Sequence, residues 1–581
     1  MEPNQKQQEV MRSTKENRIT LVEAPPGTGK TYTAVCAALE FVEEQIKSNK
    51  NYNKKVLILT FSKNARAQIN KQFEKLADGK SKYENNIEIS NYHSFYQKYI
   101  WAYSRYLDMP SDLTITAPSK RRTLIANFLK RKGFLNPTNA QVDWAIDLLE
   151  GDFRPTPKQA AKYKGVQAIV NLKDDIINYI MFLNKSGEIG FSDFGHYMKV
   201  LIKKSKSFLI ILRTKYQFII LDEYQDSSDT QDYIVKEIIG LNNKALYFAD
   251  SKQMIYAWRG AKETRLDELK EFYSNEVNIL ELLEIHRYKN KTDLINLIDA
   301  IRKGSYNRMA FQHSPNIKYI DIKVDAKEIN LFDIRIKNDC YSKMKYKILN
   351  ELKLHRGKNV GILCWTNDIV NYMRKKFKVD FKIDLKELNS SEKEHDLLFF
   401  IYEFLGEVVY KNVDELIKFV FELTFMISYE KEFGKVKKNK LDDITLKYIL
   451  KVRNDVVKKV IECFSSTISE YDFKIQLSIY LKFISQKNLT INSDLMNLVL
   501  KLIRIKDMNS KKVNSLLLQH QYISSYKEIK GDYILNVHQS KGREFDIVFI
   551  INSDSIEKDT NLFYVAVSRV KEKLVLFNWK T

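Results

Sequence analysis

The stretch Thr20 to Tyr32, reading TLVEAPPGTGKTY, constrains the fold more than any other part of this chain. An apolar strand over Ile19 to Val22 runs into a turn holding Pro25, Pro26, Gly27 and Gly29, and a helix is expected through Thr33 to Phe41. Strand, glycine turn and helix in that order make a phosphate cradle, because the turn aims backbone N–H groups at anionic oxygens beside the positive end of the helix. In such a loop, formed here by Ala24, Pro25, Pro26, Gly27, Thr28 and Gly29, Lys30 reaches the β- and γ-phosphates and Thr31 offers its hydroxyl to Mg²⁺. The pattern usually opens with glycine where Ala24 stands, and alanine, the smallest side-chain substitute, is expected to leave the turn intact. Taken alone, the segment is also compatible with a Gly/Pro loop before an ordinary core helix.

At 581 residues, 44% of them hydrophobic, the chain is too long for one core, and its length suggests about three to five compact units. Lysine and arginine number 95 against 73 acidic residues, a net charge of +22 that favours a polyanionic partner, although a lysine-rich proteome gives the same excess. Cys36, Cys340, Cys364 and Cys463 form no C-x-x-C pair, which argues against a zinc ribbon, an iron–sulfur cluster or a disulfide framework. No apolar run approaches the roughly 18 residues that span a bilayer, so no membrane association and a cytoplasmic location are expected.

Before the cradle, Pro3 to Gln8 begins a short helix, and the amide of Gln7 is suited to read an adenine edge, although a solvated helix explains the same letters. Two further strands, Lys55 to Thr60 and Ile87 to Ser90, end in Phe61-Ser62-Lys63-Asn64-Ala65 and Asn91-Tyr92-His93-Ser94-Phe95. Such alternation predicts a parallel sheet with function on the loops at the strands' C-terminal ends. From Tyr96 to Lys215 the periodicity turns helical, with basic clusters at Lys120 to Arg122 and Lys130 to Lys132 that suit either solvent or phosphate.

The strand Phe218 to Leu221 then delivers Asp222-Glu223-Tyr224-Gln225-Asp226. Asp222 can hold Mg²⁺ through its water shell while Glu223 polarises the attacking water; a helix cap is the plainer use of the same acids. A last strand of this half, Ala245 to Ala249, presents Gln253 as a γ-phosphate sensor, and Tyr256, Trp258 and Arg259 as a stacking platform for unpaired bases. Burial in a core would account for the two aromatics but not for Gln253 or Arg259.

With these motifs in hand, the chain resembles the UvrD/Rep/PcrA-type helicases of superfamily 1A. The matching segments continue through Leu282 to Tyr288, Val360 to Asn367, Ile534 to Ile551 and Asn561 to Arg569, followed by Leu574 to Phe577. Arg287 keeps the family's γ-phosphate contact, whereas Ile285 and His286 stand where the family has asparagine and a tyrosine that stacks on adenine, and Asn536 replaces a threonine. Arg569 matches the arginine finger, whose planar guanidinium spreads the charge that develops in phosphoryl transfer.

The resemblance implies an α/β fold of two RecA-like P-loop domains with parallel sheets, each carrying a mainly helical insertion. The first comprises residues 1–95 and 216–280 with the insertion 96–215; the second comprises 281–376 and 534–581 with the insertion 377–533. It implies ATP and Mg²⁺ as cofactors, with Lys30, Asp222, Glu223, Gln253, Arg287 and Arg569 catalytic and Thr31 and Asp222 on the metal. Gln7, the loop residues, His286, Gly542 and Glu544 complete the nucleotide site. Single-stranded and duplex DNA are the implied partners, contacted by Phe61, Asn64, His93, Ser94, Tyr256, Trp258, Arg259, Thr366, Asn367 and His538, with movement 3′ to 5′. Three alternatives stay open: a DNA-dependent ATPase serving a companion nuclease, as in Gabija-type phage defence; a non-catalytic, nucleotide-switched DNA scaffold; and an RNA track.

Overall fold

Continuous apolar runs, rather than alternating ones, form most of the inner strands of the main sheet, as befits strands buried on both faces. The computed structural model describes residues 2–48, 53–77, 83, 85–116, 118–149, 166–257, 260–288, 291–323, 338–381, 383, 385, 397, 401, 413–428, 432–433, 436–437, 454–464, 470–487, 491, 496–497, 499–500, 531–551 and 553–580. The chain divides into two compact units, Met1–Ile320 with Ser540–Asn578, and Asp321–Gln539 with Trp579–Thr581. The architecture is mixed α/β with parallel sheets.

In the first unit, β1 (Ile19–Glu23), β2 (Lys55–Thr60), β3 (Ile87–Asn91), β6 (Tyr216–Leu221), β7 (Lys244–Ala249) and β8 (Val277–Glu281) form a six-stranded sheet in the order β3-β2-β6-β7-β1-β8. All of its pairings are parallel; Ile19 aligns with both Ala245 and Val277, and Val56 with Ile87. Successive side chains point to opposite faces. Val22, Ile58, Ile220 and Phe248 therefore meet Ala34, Val35 and Ala38 of the helix α2 (Lys30–Ser48). Leu21, Leu59, Ile219 and Tyr247 belong to the opposite layer with Tyr92, Phe95 and Tyr96 of the helix Tyr92–Ala102.

Three features depart from the sequence expectation. Helix α2 begins at Lys30 and runs to Ser48, beyond both expected ends. Strand β8, an edge strand whose residues are mostly half-exposed or exposed, lacks the apolar run that marks the inner strands. Within the mainly helical stretch, β4 (Thr114–Ile115) and β5 (Glu188–Ile189) pair in parallel beside a satellite core of Ile125, Leu129, Ala145, Ile176 and Ile180.

The first unit also holds β14 (Phe545–Ile551), paired in parallel with β15 (Val570–Lys580), which belongs to this unit as far as Asn578; next to β15 lies β9 (Ile317–Lys323), which belongs to it as far as Ile320. Residues 281–320 and 540–578 thus share a unit with the cradle's sheet. In the second unit, β10 (Val360–Cys364) and β13 (Asp532–Asn536) are parallel, and β11 (Glu432–Phe433) and β12 (Val436–Lys437) form a short antiparallel pair. Its apolar core gathers Phe419, Val420, Leu423, Phe464, Phe473 and Leu477, and the Thr424 hydroxyl lies 2.8 Å from that of Tyr480.

Candidate nucleotide site

The cradle starts where β1 leaves the sheet. The Ala24 N–H donates to Ala249 O at 2.9 Å, and its methyl is fully buried in the core. Ala24 is not among the residues with positive φ, so the position has no backbone need for glycine. Gly27 and Gly29 do have that need, with φ of 82° and 90°. A Cβ on Gly27 would lie 2.7 Å from Arg287 Cβ, and one on Gly29 would lie 2.5 Å from Gln7 Nε2. The Thr28 hydroxyl donates to Pro25 O at 2.9 Å, and Lys30 Nζ donates to Ala24 O at 3.0 Å while lying 3.7 Å from Glu223 Oε1.

The acids at the end of β6 face this lysine. Asp222 N–H donates to Leu59 O at 2.9 Å, and Thr60 Oγ1 stands 3.5 Å from its carboxylate. Glu223 adopts a left-handed backbone, φ 56°, a conformation that stores roughly 1–3 kcal/mol in a residue with a side chain and recurs at functional sites. Burial and the neighbouring Glu223 charge push the Asp222 carboxyl up to about 7. Burial acts the same way on Glu223, but Lys30 and then Lys541 outweigh it and hold that carboxyl down at about 2. The pair is thereby split into one carboxylate that stays charged and one that is easily neutralised.

Three cations from distant segments complete the wall. Arg569 donates to Gln253 Oε1 at 3.0 Å and to Val565 O at 2.9 Å; Gln253 Nε2 in turn donates to Asp250 Oδ2 at 3.0 Å. Arg287 pairs with Glu544 and donates to Ser568 O at 2.6 Å. Lys541 donates to Asp226 Oδ2 at 2.5 Å and to Gln253 O at 2.6 Å, and lies 3.6 Å from Glu223 Oε2. Burial lowers the Arg569 guanidinium and the adjacent Arg287 charge lowers it further, while for Arg287 the burial is more than offset by Glu544 and Tyr288 together.

Around these groups lies a cavity of about 620 Å³, the size of a small-molecule site. Of the residues selected from sequence, Pro26, Gly27, Gly29, Lys30, Thr31, Asp222, Glu223, Gln253, His286, Arg287, Gly542, Glu544 and Arg569 line it, as do Phe61 and Tyr256.

Two family models match this chain. The UvrD/REP helicase N-terminal domain matches residues 3–274, and the UvrD-like helicase C-terminal domain matches residues 532–577. The chain belongs to the UvrD/Rep helicase family. It is 22% identical to the "Probable DNA helicase II homolog" of Mycoplasma pneumoniae, over 96% of this chain and 82% of that protein. The "ATP-dependent DNA helicase Rep" of Buchnera aphidicola subsp. Baizongia pistaciae is also 22% identical, over 85% of this chain and 80% of its own length. The "ATP-dependent DNA helicase PcrA" of Staphylococcus aureus is 23% identical over 50% of this chain and 38% of its own.

In this UvrD/Rep family member the remaining selected residues fall into three groups. Gln7 supports the cradle from behind: its side chain accepts from Asn4 N–H at 3.0 Å in a capping box, and its Nε2 stands 3.5 Å from Thr28 O. In the first unit, Phe61 and Tyr256 stack at 4.8 Å between ring centroids, and Asn64 Oδ1 accepts from Arg543 at 2.8 Å. His93 packs edge-on against Phe191, and Ser94 N–H donates to Asn91 Oδ1 at 2.8 Å. Trp258 and Arg259 lie outside the described residues. In the second unit, Thr366 Oγ1 stands 3.4 Å from the Ile369 N–H it accepts, and Asn367 Oδ1 accepts from Asn536 at 2.7 Å; His538 is half-buried on the short helix Val537–Ser540. Asn536 serves as a cap, its side chain accepting from Gln539 N–H at 2.8 Å.

Lys541 is not among the site residues selected from sequence, although it precedes Gly542 in the stretch SKGREF; its place amid site motifs is the signal the sequence holds, and its burial is what the fold adds. Asp226 is likewise not among them, nor is Tyr564, whose hydroxyl donates to Asp250 Oδ2 at 3.2 Å. The residues fit Mg²⁺ in its usual phosphate-bound form. Thr31 and Asp222 both line the cavity, and no group of three or more His, Cys, Asp or Glu residues able to hold a metal occurs among the described residues. Mg²⁺ bound with a nucleotide needs only one or two carboxylates besides phosphate and water. Among the described residues no helix is long and apolar enough to cross a membrane.

Proposed function

We propose that this protein is an ATP-hydrolysing DNA helicase that moves on single-stranded DNA, 3′ to 5′, and unwinds duplex DNA. The observation that carries this reading is the position of Gln253. Its side chain joins Asp250 to Arg569 and its carbonyl accepts from Lys541, so one residue at the end of β7 links the cradle side to two later segments. A γ-phosphate arriving beside Lys30 would disturb all three links together. That is the connection a motor needs between nucleotide state and grip.

In this reading Glu223, charged because Lys30 and Lys541 face it, takes the proton of the attacking water. Lys30, Arg287 and Arg569 balance the charge that develops on the phosphates, and Gln253 senses the γ-phosphate. Thr31 and Asp222 hold Mg²⁺, which when bound neutralises phosphate charge. We assign the chain two RecA-like domains, 1–95 with 216–280 and 281–376 with 534–581, and helical insertions over 96–215 and 377–533. Phe61, Asn64, His93, Ser94, Tyr256, Trp258 and Arg259 contact DNA from the first domain, and Thr366, Asn367 and His538 from the second.

The test is ATP hydrolysis by the purified chain with single-stranded DNA, duplex DNA, single-stranded RNA or no nucleic acid. Strong, selective stimulation by single-stranded DNA is expected, with unwinding of duplexes that carry a 3′ tail. Hydrolysis indifferent to nucleic acid overturns the motor assignment.

A further inference from the structure

Two lysines keep the Glu223 carboxylate charged, but a glutamine aims it. Lys30 Nζ lies 3.7 Å from Glu223 Oε1 and Lys541 Nζ lies 3.6 Å from Oε2. Both ammonium groups donate elsewhere, Lys30 to Ala24 O, and Lys541 to Asp226 and Gln253 O. Gln225 Nε2 does bond the carboxylate, donating to Oε2 at 2.6 Å. Gln225 is only 2% exposed and does not line the cavity, whereas Glu223 does.

The direction of that bond is set at the other end of the amide. A backbone N–H can only donate, and Asp250 N–H donates to Gln225 Oε1 at 3.0 Å, so Nε2 is the end that faces Glu223. Both residues belong to one tight turn: Glu223 has its left-handed backbone, its carbonyl accepts from Asp226 N–H at 3.0 Å, and Tyr224–Asp226 form a single 3₁₀ turn. That turn folds the Gln225 side chain back onto the residue two places earlier. Asp250, which follows β7, accepts from Gln253 Nε2 through its own side chain. One buried amide therefore joins the acid after β6 to the turn that carries Gln253.

We infer that Gln225 is a positioning residue for the hydrolytic step, a role that rests on the reading of Glu223 as general base given above. With Oε2 engaged by Gln225, Oε1 is the oxygen that takes the proton of the attacking water. The water oxygen bonds the γ-phosphorus, and the bond from that phosphorus to the β–γ bridging oxygen breaks, its electron pair leaving with ADP. The last torsion of a glutamate is broad, so an unheld carboxylate turns freely. Misplacing a reacting group by about 1 Å costs about 10²-fold in rate. Because Gln225 acts through Glu223 and lies off the cavity, its loss should lower kcat and spare ground-state binding.

The experiment follows phosphate release from ATP, with and without single-stranded DNA, beside titration of N-methylanthraniloyl-ADP. The variants are Gln225→Ala, Gln225→Glu, Glu223→Gln and the double variant of Glu223→Gln with Gln225→Ala. In both Gln225 variants kcat should fall by about 10²-fold, with KM for ATP and affinity for ADP within about threefold of native. Gln225→Glu keeps the oxygen that accepts from Asp250 and loses only the donor to Glu223, so it carries the test even if the alanine variant misfolds. Native kcat in that variant shows that Gln225 merely ties two segments together, and overturns the inference. In the double variant, Gln225→Ala should add less than about threefold to the loss from Glu223→Gln, since no base is left to aim; a second loss of about 10²-fold overturns the inference as well. Loss in Glu223→Gln beside native kcat in both Gln225 variants overturns the inference alone. Undiminished hydrolysis by Glu223→Gln, or none by the native protein, overturns the proposed mechanism and the inference with it.

Discussion

Lys541 is the side chain whose loss should be felt most widely, and Lys541→Met isolates its charge while keeping much of its length. In the native protein its ammonium lies 2.5 Å from Asp226 Oδ2, 2.6 Å from Gln253 O and 3.6 Å from Glu223 Oε2. Asp226 is fully buried and its other carboxylate oxygen has no hydrogen-bond partner, so removing Lys541 strands a charge. Breaking one side of a buried pair in this way costs about 3–5 kcal/mol. Asp226→Asn leaves Lys541 with Glu223 and the Gln253 carbonyl and should cost less, about 1–3 kcal/mol. Removing both charges together should recover part of the loss, giving a coupling of about 2–3 kcal/mol in a double-mutant cycle. The assay is urea unfolding at pH 7.5, taking the transition that Lys541→Met moves. Because burial raises the Asp226 carboxyl to about 7 against the pull of Lys541, the cost of Lys541→Met should shrink as pH falls and Asp226 is neutralised. Single-variant costs that simply add, to within about 0.5 kcal/mol, would refute the ion-pair reasoning.

Gly29→Ala places a methyl 2.5 Å from Gln7 Nε2 at a φ of 90°, and should abolish displaceable binding of N-methylanthraniloyl-ADP; retained affinity would show that the loop yields. Arg569→Lys loses the planar group that bonds Gln253 and that the proposed mechanism brings to the phosphates, so kcat for ATP should fall by about 10³-fold with ADP affinity little changed, as read by hydrolysis and by titration. Asp222 and Asp226, both raised to about 7, contribute stability that is fully present below their unfolded range and lost as pH rises through about 7. Without nucleotide or Mg²⁺ the melting temperature should therefore rise as pH falls from 8 to 5. Glu223, held near 2, does not oppose this trend, because its contribution is lost only at more acidic pH. A flat profile over that window would contradict the burial argument.

What could be read from the letters was what neighbours in sequence determine. Strand β2 runs from Lys55 to Thr60, one residue beyond each end of its apolar run Val56 to Leu59, and the loop's glycines announce a backbone that residues with a side chain resist. Strand β8 was missed because an edge strand has little apolar signature, and the helical stretch hid β4 and β5 because two residues carry no period. The left-handed backbone at Glu223 was equally invisible, since nothing in the side chain marks it.

The pairings in the site are a different kind of information. Gln253 stands out by its loop and Arg569 by its motif, yet the hydrogen bond between them joins residues far apart in sequence that no local pattern relates. The same holds for Lys541 with Asp226, where each residue alone resembles a surface charge and only burial shows that each needs the other. Motifs therefore identify the groups able to meet phosphate, whereas the resting partners of those groups come from the fold. Under the proposed mechanism those partners decide how the site responds, because an incoming phosphate would have to compete with Gln253 for Arg569 and with Glu544 for Arg287. Nucleotide binding would then be an exchange of partners, and the segments around 541 and 569 those whose contacts it rewrites.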